Sequence, residues 1–176
     1  MIDEAELRLL VSGRWLVPLM AHLGSEQGSR FAAMRARLGL SPSALAASLE
    51  QLILAGWIAR NPGHGHPLRP EYVLTEVGIP IAGFCRRMMA TRVRLGIETG
   101  QLSRWSLPVA ARLSGADRRF TALRTALAPV TPRALSLTLK QMMTFDLVRR
   151  SLEDRFPPIP IYGLTARGRS LAAAIR

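Results

Sequence analysis

Apolar residues recur at helical spacing from Leu7 onward. Leu7, Leu10 and Val11 mark one amphipathic helix, and Trp15, Leu16, Leu19, Met20 and Leu23 mark a second that starts near Ser12. The spacing predicts a short helix from Phe31 to Leu38, closed by Gly39, a residue type that accepts the left-handed turn at a helix C-terminus. Ser41-Pro42 then combines a hydroxyl N-cap with a proline at the first helical position, where the missing N–H has no intrahelical partner to lose. Leu45, Leu49, Leu52 and Ile53 supply the apolar face of the helix that follows, which stops at Gly56. Two short strands are expected, Trp57 to Arg60 and Glu71 to Thr75. The segment between them, from Asn61 to Pro67, holds too many prolines and glycines for a regular element.

A helix, a tight turn, a second helix and a β-hairpin is the order of a winged helix-turn-helix domain. The order occurs twice. Trp15-Leu16-Val17-Pro18 returns as Trp105-Ser106-Leu107-Pro108, 90 positions on, and Arg30-Phe31 returns as Arg119-Phe120, 89 positions on. One residue inserted around Ala128-Pro129 restores the register, after which Ser41-Pro42 matches Thr131-Pro132, Tyr72 matches Tyr162 and Gly78 matches Gly168. A register held through Trp, Phe, Pro and Tyr positions is a tandem duplication. The expected fold is mainly α with small β-hairpins (α+β): a first winged-helix domain over residues 1–80, a helical linker over 81–101 and a second domain over 102–176. Ile81, Phe84, Met88, Val93 and Ile97 line one face of that linker, and a short last helix is expected from Ala166 to Arg176.

Charge sharpens this picture. The 176 residues carry 24 Lys and Arg against 12 Asp and Glu, a formal net charge of +12, which points to an anionic partner. Residues 1–89 hold nine arginines and seven acids, net +2, so the other half holds fifteen basic groups and five acids, net +10. The single cysteine, Cys85, excludes an internal disulfide and a cysteine-based zinc site and fits a reducing compartment. The acidic start and the lack of an apolar run of ~18 residues argue against a signal peptide or a spanning helix, so a soluble cytoplasmic protein is expected. No catalytic triad, carboxylate pair or phosphate loop is visible, and no cofactor or metal is expected.

The order Ser12-Gly13-Arg14-Trp15, Arg30-Phe31, Leu40-Ser41-Pro42, Gly56-Trp57-Ile58-Ala59-Arg60 and Pro70-Glu71-Tyr72-Val73-Leu74-Thr75 resembles the HxlR-type winged helix-turn-helix transcription regulators. The second half repeats it as Arg104-Trp105, Arg119-Phe120, Thr131-Pro132-Arg133, Leu147-Val148-Arg149-Arg150 and Tyr162-Gly163-Leu164-Thr165. The resemblance implies repressors or activators that bind double-stranded DNA as homodimers, in a bacterial-type cytoplasm and on the nucleoid when bound. Some members sense oxidants through a cysteine just before the Gly-Lys/Arg-Trp motif; residues 1–14 contain none here.

The second helix of a helix-turn-helix enters the major groove with its N-terminal residues at base edges. In the second copy that helix offers Arg133, Ser136, Lys140 and Gln141, with Thr131 at its cap; arginine suits guanine and glutamine suits adenine. The first copy offers Ser43 and Gln51 among alanines and Glu50, a poor reader by comparison. Arg118 and Arg119, and Arg149, Arg150 and Arg155 on the second hairpin, are candidate phosphate contacts, with Glu153 and Asp154 diluting that wing. The expected function is DNA-binding transcriptional regulation in which the second copy makes most contacts and the first serves in pseudo-dimer or homodimer pairing. A protein-interaction module built on the same fold, and a regulator responding to an unidentified small-molecule effector, are the competing readings. His64 and His66 read as loop residues rather than metal ligands. Trp15, Trp57, Trp105, Phe31 and Phe120 read as core. Cys85 reads as a buried small residue, with a thiol activated by Arg86 and Arg87 as the alternative.

Overall fold

The computed structural model describes residues 2–26, 28–61, 71–154 and 156–175, and it divides into two compact units. Unit 1 comprises residues 1–2 and 12–90; unit 2 comprises residues 3–11 and 91–176. The first helix, α1 (Glu4–Ser12), therefore lies almost wholly in unit 2, although it precedes the first copy in sequence, which the expected 1–80 boundary did not foresee. Leu7 and Leu10 are buried, and Glu4 pairs with both Arg8 on its own helix and Arg112 of the second copy.

Unit 1 runs α2 (Leu16–Glu26), β1 (Ser29–Arg30), α3 (Phe31–Leu38), α4 (Pro42–Leu54), β2 (Ile58–Asn61), β3 (Glu71–Leu74) and most of α5 (Gly78–Arg94). Unit 2 repeats the order after α1: α6 (Ser106–Leu113), β4 (Arg118–Arg119), α7 (Phe120–Ala126), α8 (Pro132–Thr144), β5 (Val148–Glu153), β6 (Ile159–Leu164) and α9 (Ala166–Ala173). Each unit has a three-stranded antiparallel sheet in which the short strand before the helix-turn-helix joins the hairpin, in the order β1-β3-β2 and β4-β6-β5. Each unit is a winged helix-turn-helix. The linker expected from residue 81 falls inside the unbroken α5, which ends before Gly96 at φ +62°.

The local reasons repeat as closely as the elements. Ser41 Oγ accepts from the Ala44 N–H and Thr131 Oγ1 from the Ala134 N–H, both at 3.2 Å, with Pro42 and Pro132 opening the helices. Gly39, at φ +64°, closes α3; in the second copy Leu127 caps α7, and Ala128-Pro129, one residue longer, stands in the place of Gly39. Thr75 Oγ1 accepts from the Gly78 N–H and donates to the Gly56 carbonyl, and Thr165 does the same to Gly168 and Asp146. That lock brings the next helix so close that a Cβ on Gly78 would lie 1.8 Å from the Trp57 carbonyl oxygen, and one on Gly168 1.9 Å from that of Leu147.

Each core gathers the predicted apolar faces: Leu16, Leu19, Met34, Leu45, Leu49 and Phe84 in unit 1, and Leu107, Leu113, Leu123, Leu135, Leu139 and Leu171 in unit 2. Of the aromatic residues assigned to the core, Trp57 is buried, whereas Trp15, Trp105, Phe31 and Phe120 are only half-buried. Arg14 and Arg104 stack over Trp15 and Trp105, at 5.0 and 5.6 Å, so one ring face serves a cation rather than the core. Among the described residues, no helix is long and apolar enough to cross a membrane.

Candidate nucleic-acid interface

The second helices of the two helix-turn-helix motifs, α4 and α8, bury the same positions. Leu45, Ser48, Leu49 and Leu52 face inward in α4, and Leu135, Thr138, Leu139 and Met142 in α8. Two equivalent stripes are therefore left outside. On α8 the stripe is Arg133, Ser136, Leu137, Lys140 and Thr144; on α4 it is Ser43, Ala46, Ala47, Glu50 and Leu54. The first carries two cations, the second one carboxylate and a leucine that is 81% exposed. Thr131 and Ser41 hold their hydroxyls at the helix N-termini, and Ser43 Oγ lies 3.2 Å from Ser41 Oγ.

Gln141 does not join the stripe. Its Nε2 donates to the Gln101 carbonyl at 2.6 Å and its Oε1 accepts from the Ser103 N–H at 2.9 Å, so both ends of the amide hold the backbone before α6. A base contact by Gln141 would require this half-buried amide to give up both bonds. Gln51, its counterpart, is exposed. Beside α8, an open notch is lined by Arg104, Trp105, Leu137 and Lys140. Leu137, 59% exposed, and Arg104, which the sequence shows only as part of the repeated Arg-Trp motif, are not among the expected contacts; the signal available is their spacing from Lys140 and Trp105.

The other arginines divide by what they touch. Arg149 donates to Asp117 at 2.7 Å, Arg119 pairs with Glu153, and Arg118 Nε donates to the Arg112 carbonyl at 2.9 Å. Among the described residues, no ion pair involves Arg133, Lys140 or Arg150. Arg149 and Arg150 are consecutive on β5, opposite Gly163 and Tyr162, so they leave the sheet on opposite faces. Glu153, read as diluting the wing, is neutralised by Arg119. Leu152 and Phe156, at the far end of the hairpin, are 59% and 97% exposed. Arg155, His64 and His66 lie outside the described residues.

A family model described as HxlR-like helix-turn-helix matches residues 10–94 and again 102–176. The chain belongs to the HxlR-like helix-turn-helix family. A helix-turn-helix-type transcriptional regulator from Synechocystis is 35% identical over 69 residues, covering 39% of this chain; the chain spans about half (51%) of that relative. Two solved structures also match: a MarR-family transcriptional regulator from Enterococcus faecalis V583, 27% identical over 50% of this chain and 74% of that one at a TM-score of 0.41, and the reduced form of the regulator YodB from Bacillus subtilis, 20% identical over 53% and 80% at 0.39.

In this HxlR-like chain the single thiol is shut away. Cys85 is fully buried on α5, and burial pushes its thiol far above the usual range, outweighing the opposing charge of Arg87. The arginines beside it in sequence do not make it a thiolate. The family is one of regulators rather than enzymes.

Proposed function

We propose that this chain is a DNA-binding transcriptional regulator, cytoplasmic and nucleoid-associated when bound, whose second copy makes most contacts to double-stranded DNA. One observation carries the reading: two helices with the same cap, the same buried positions and the same exposed stripe differ in that stripe by Arg133 and Lys140 against Ser43 and Glu50. Arg133, Ser136 and Lys140 face base edges, with Thr131 and Arg104 at the flanking phosphates. Arg150 supplies a wing contact, and Arg118, Arg119 and Arg149 join by exchanging their protein partners for phosphate. Such an exchange is affordable because exposed ion pairs contribute only ~0–1 kcal/mol.

In this reading the first copy acts as pairing partner. The exposed Ala46, Ala47 and Leu54 favour a second reading for that copy's stripe, as a protein contact in a larger complex or in a homodimer.

The test starts from duplexes selected out of genomic fragments by the purified chain. In gel-shift titrations, R133A/K140A should weaken binding to the selected site by about 100-fold, at ~1–3 kcal/mol per specific contact. S43A/Q51A should change it by less than about threefold. Equal losses would sink the asymmetry, and salt-insensitive retention on a protein partner without DNA retardation would favour the interaction module.

A further inference from the structure

Unit 1 holds a cleft of about 710 Å³ between α2, the end of α3 and α5. Its walls are apolar at Pro18, Ala21, Leu38 and Met89. Its polar side chains include three guanidinium groups, those of Arg37, Arg86 and Arg87, against the one carboxylate of Glu26. Among the described residues, none of these arginines forms an ion pair, and Arg86 makes only a 3.4 Å contact with the Gly24 carbonyl. The volume suits a small ligand, and a planar guanidinium fork matches a carboxylate in two-point fashion.

The duplication supplies an internal comparison. His22, which lines the cleft, corresponds to Arg112 in the second copy, and Arg112 is already engaged by a carboxylate, that of Glu4 on α1. Arg37 corresponds to Ala126 and Glu26 to Ala116, so α7 has no cation at the place of Arg37, and the cation at the place of His22, Arg112, is engaged by Glu4. The same face of the fold thus receives an acidic group in unit 2 and presents unpaired cations in unit 1.

We propose that this cleft binds a small organic carboxylate with an apolar body, and that its occupancy changes the affinity of the chain for DNA. An occupant held by Arg37 on α3 and by Arg86 and Arg87 on α5 would tie the first helix of the helix-turn-helix to the long helix behind it. The effect on DNA rests on the function proposed above; the binding of the acid does not.

The probe is 2-naphthoate, titrated calorimetrically into the full chain beside its neutral amide and inorganic phosphate. Naphthoate should bind saturably at one site, at least ~10-fold tighter than either, since a charge-assisted bond at ~1.5–3 kcal/mol is worth about that factor or more. R37A/R87A should weaken it by at least ~10-fold, whereas R133A should leave it unchanged. Amide binding as tight as the acid, phosphate as tight as naphthoate, no saturable binding, or an unaffected double variant would each overturn the site. So would R37A/R87A weakening DNA binding without naphthoate as much as R133A/K140A, because the arginines would then be phosphate contacts. Saturating naphthoate should shift the midpoint of the DNA titration by ~5-fold or more, in the range of ordinary coupling energies. An unmoved midpoint with naphthoate bound removes the regulatory half and leaves the site.

Discussion

Asp146 occupies a left-handed backbone position, φ 52°, at the place where the first copy has Gly56 at φ +72°. A side chain there crowds the following carbonyl, and the Thr165 lock on the Asp146 carbonyl holds it in place. Asp146→Gly should therefore raise stability by ~1 kcal/mol, or ~2–4 °C in the thermal midpoint of a chain this size, read by calorimetry. Gly168 is the opposite case. Its missing Cβ is what lets α9 approach the Leu147 carbonyl, so Gly168→Ala should cost about 2 kcal/mol or more, and Gly78→Ala the same in unit 1. Cys85 should resist alkylation at neutral pH in the native chain and react once unfolded. Because burial raises its folded value, the thiol favours the folded state fully below its ordinary value near 9, and that contribution is lost as pH rises beyond it. Rapid native labelling by iodoacetamide would contradict the burial.

At the second sheet, three neighbouring positions differ together from the first copy. Asp117 sits over Gly163, where a Cβ would lie 2.1 Å from its Oδ1, and it pairs with Arg149; the first copy has Gly28, Val73 and Ala59 at these places. The carboxylate thus takes the space a side chain on β6 would need, and it partly masks one wing cation. Asp117→Ala should leave the sheet intact and tighten binding to a non-specific duplex several-fold at low salt, because it removes a negative charge and releases Arg149. Fluorescence anisotropy at two salt concentrations measures this, and unchanged binding would place Arg149 outside the interface. Arg150, in no ion pair among the described residues, should behave differently on removal. Arg150→Ala should weaken all sequences alike and lower the salt slope by ~1.

Across the whole chain, local rules were enough for the duplication, the order of elements and the ends of most helices. Capping by Ser41 and Thr131, termination at Gly39 and 3.6-residue periodicity each depend on neighbours a few positions away, and such neighbours are visible in a linear string. The two-residue strands β1 and β4 left no such trace, because they exist only through pairing with residues more than 40 positions on. The split of charge into +2 and +10 was likewise plain from counting. Counting did not say which cations are at liberty. Folding spends Arg119, Arg149 and Gln141 on partners far along the chain, assigns residues 3–11 to the second unit, and leaves Arg133, Lys140 and Arg150 outside any ion pair among the described residues. Backbone conformation obeys contacts that are near in sequence, whereas exposure and pairing obey contacts that are near only in space.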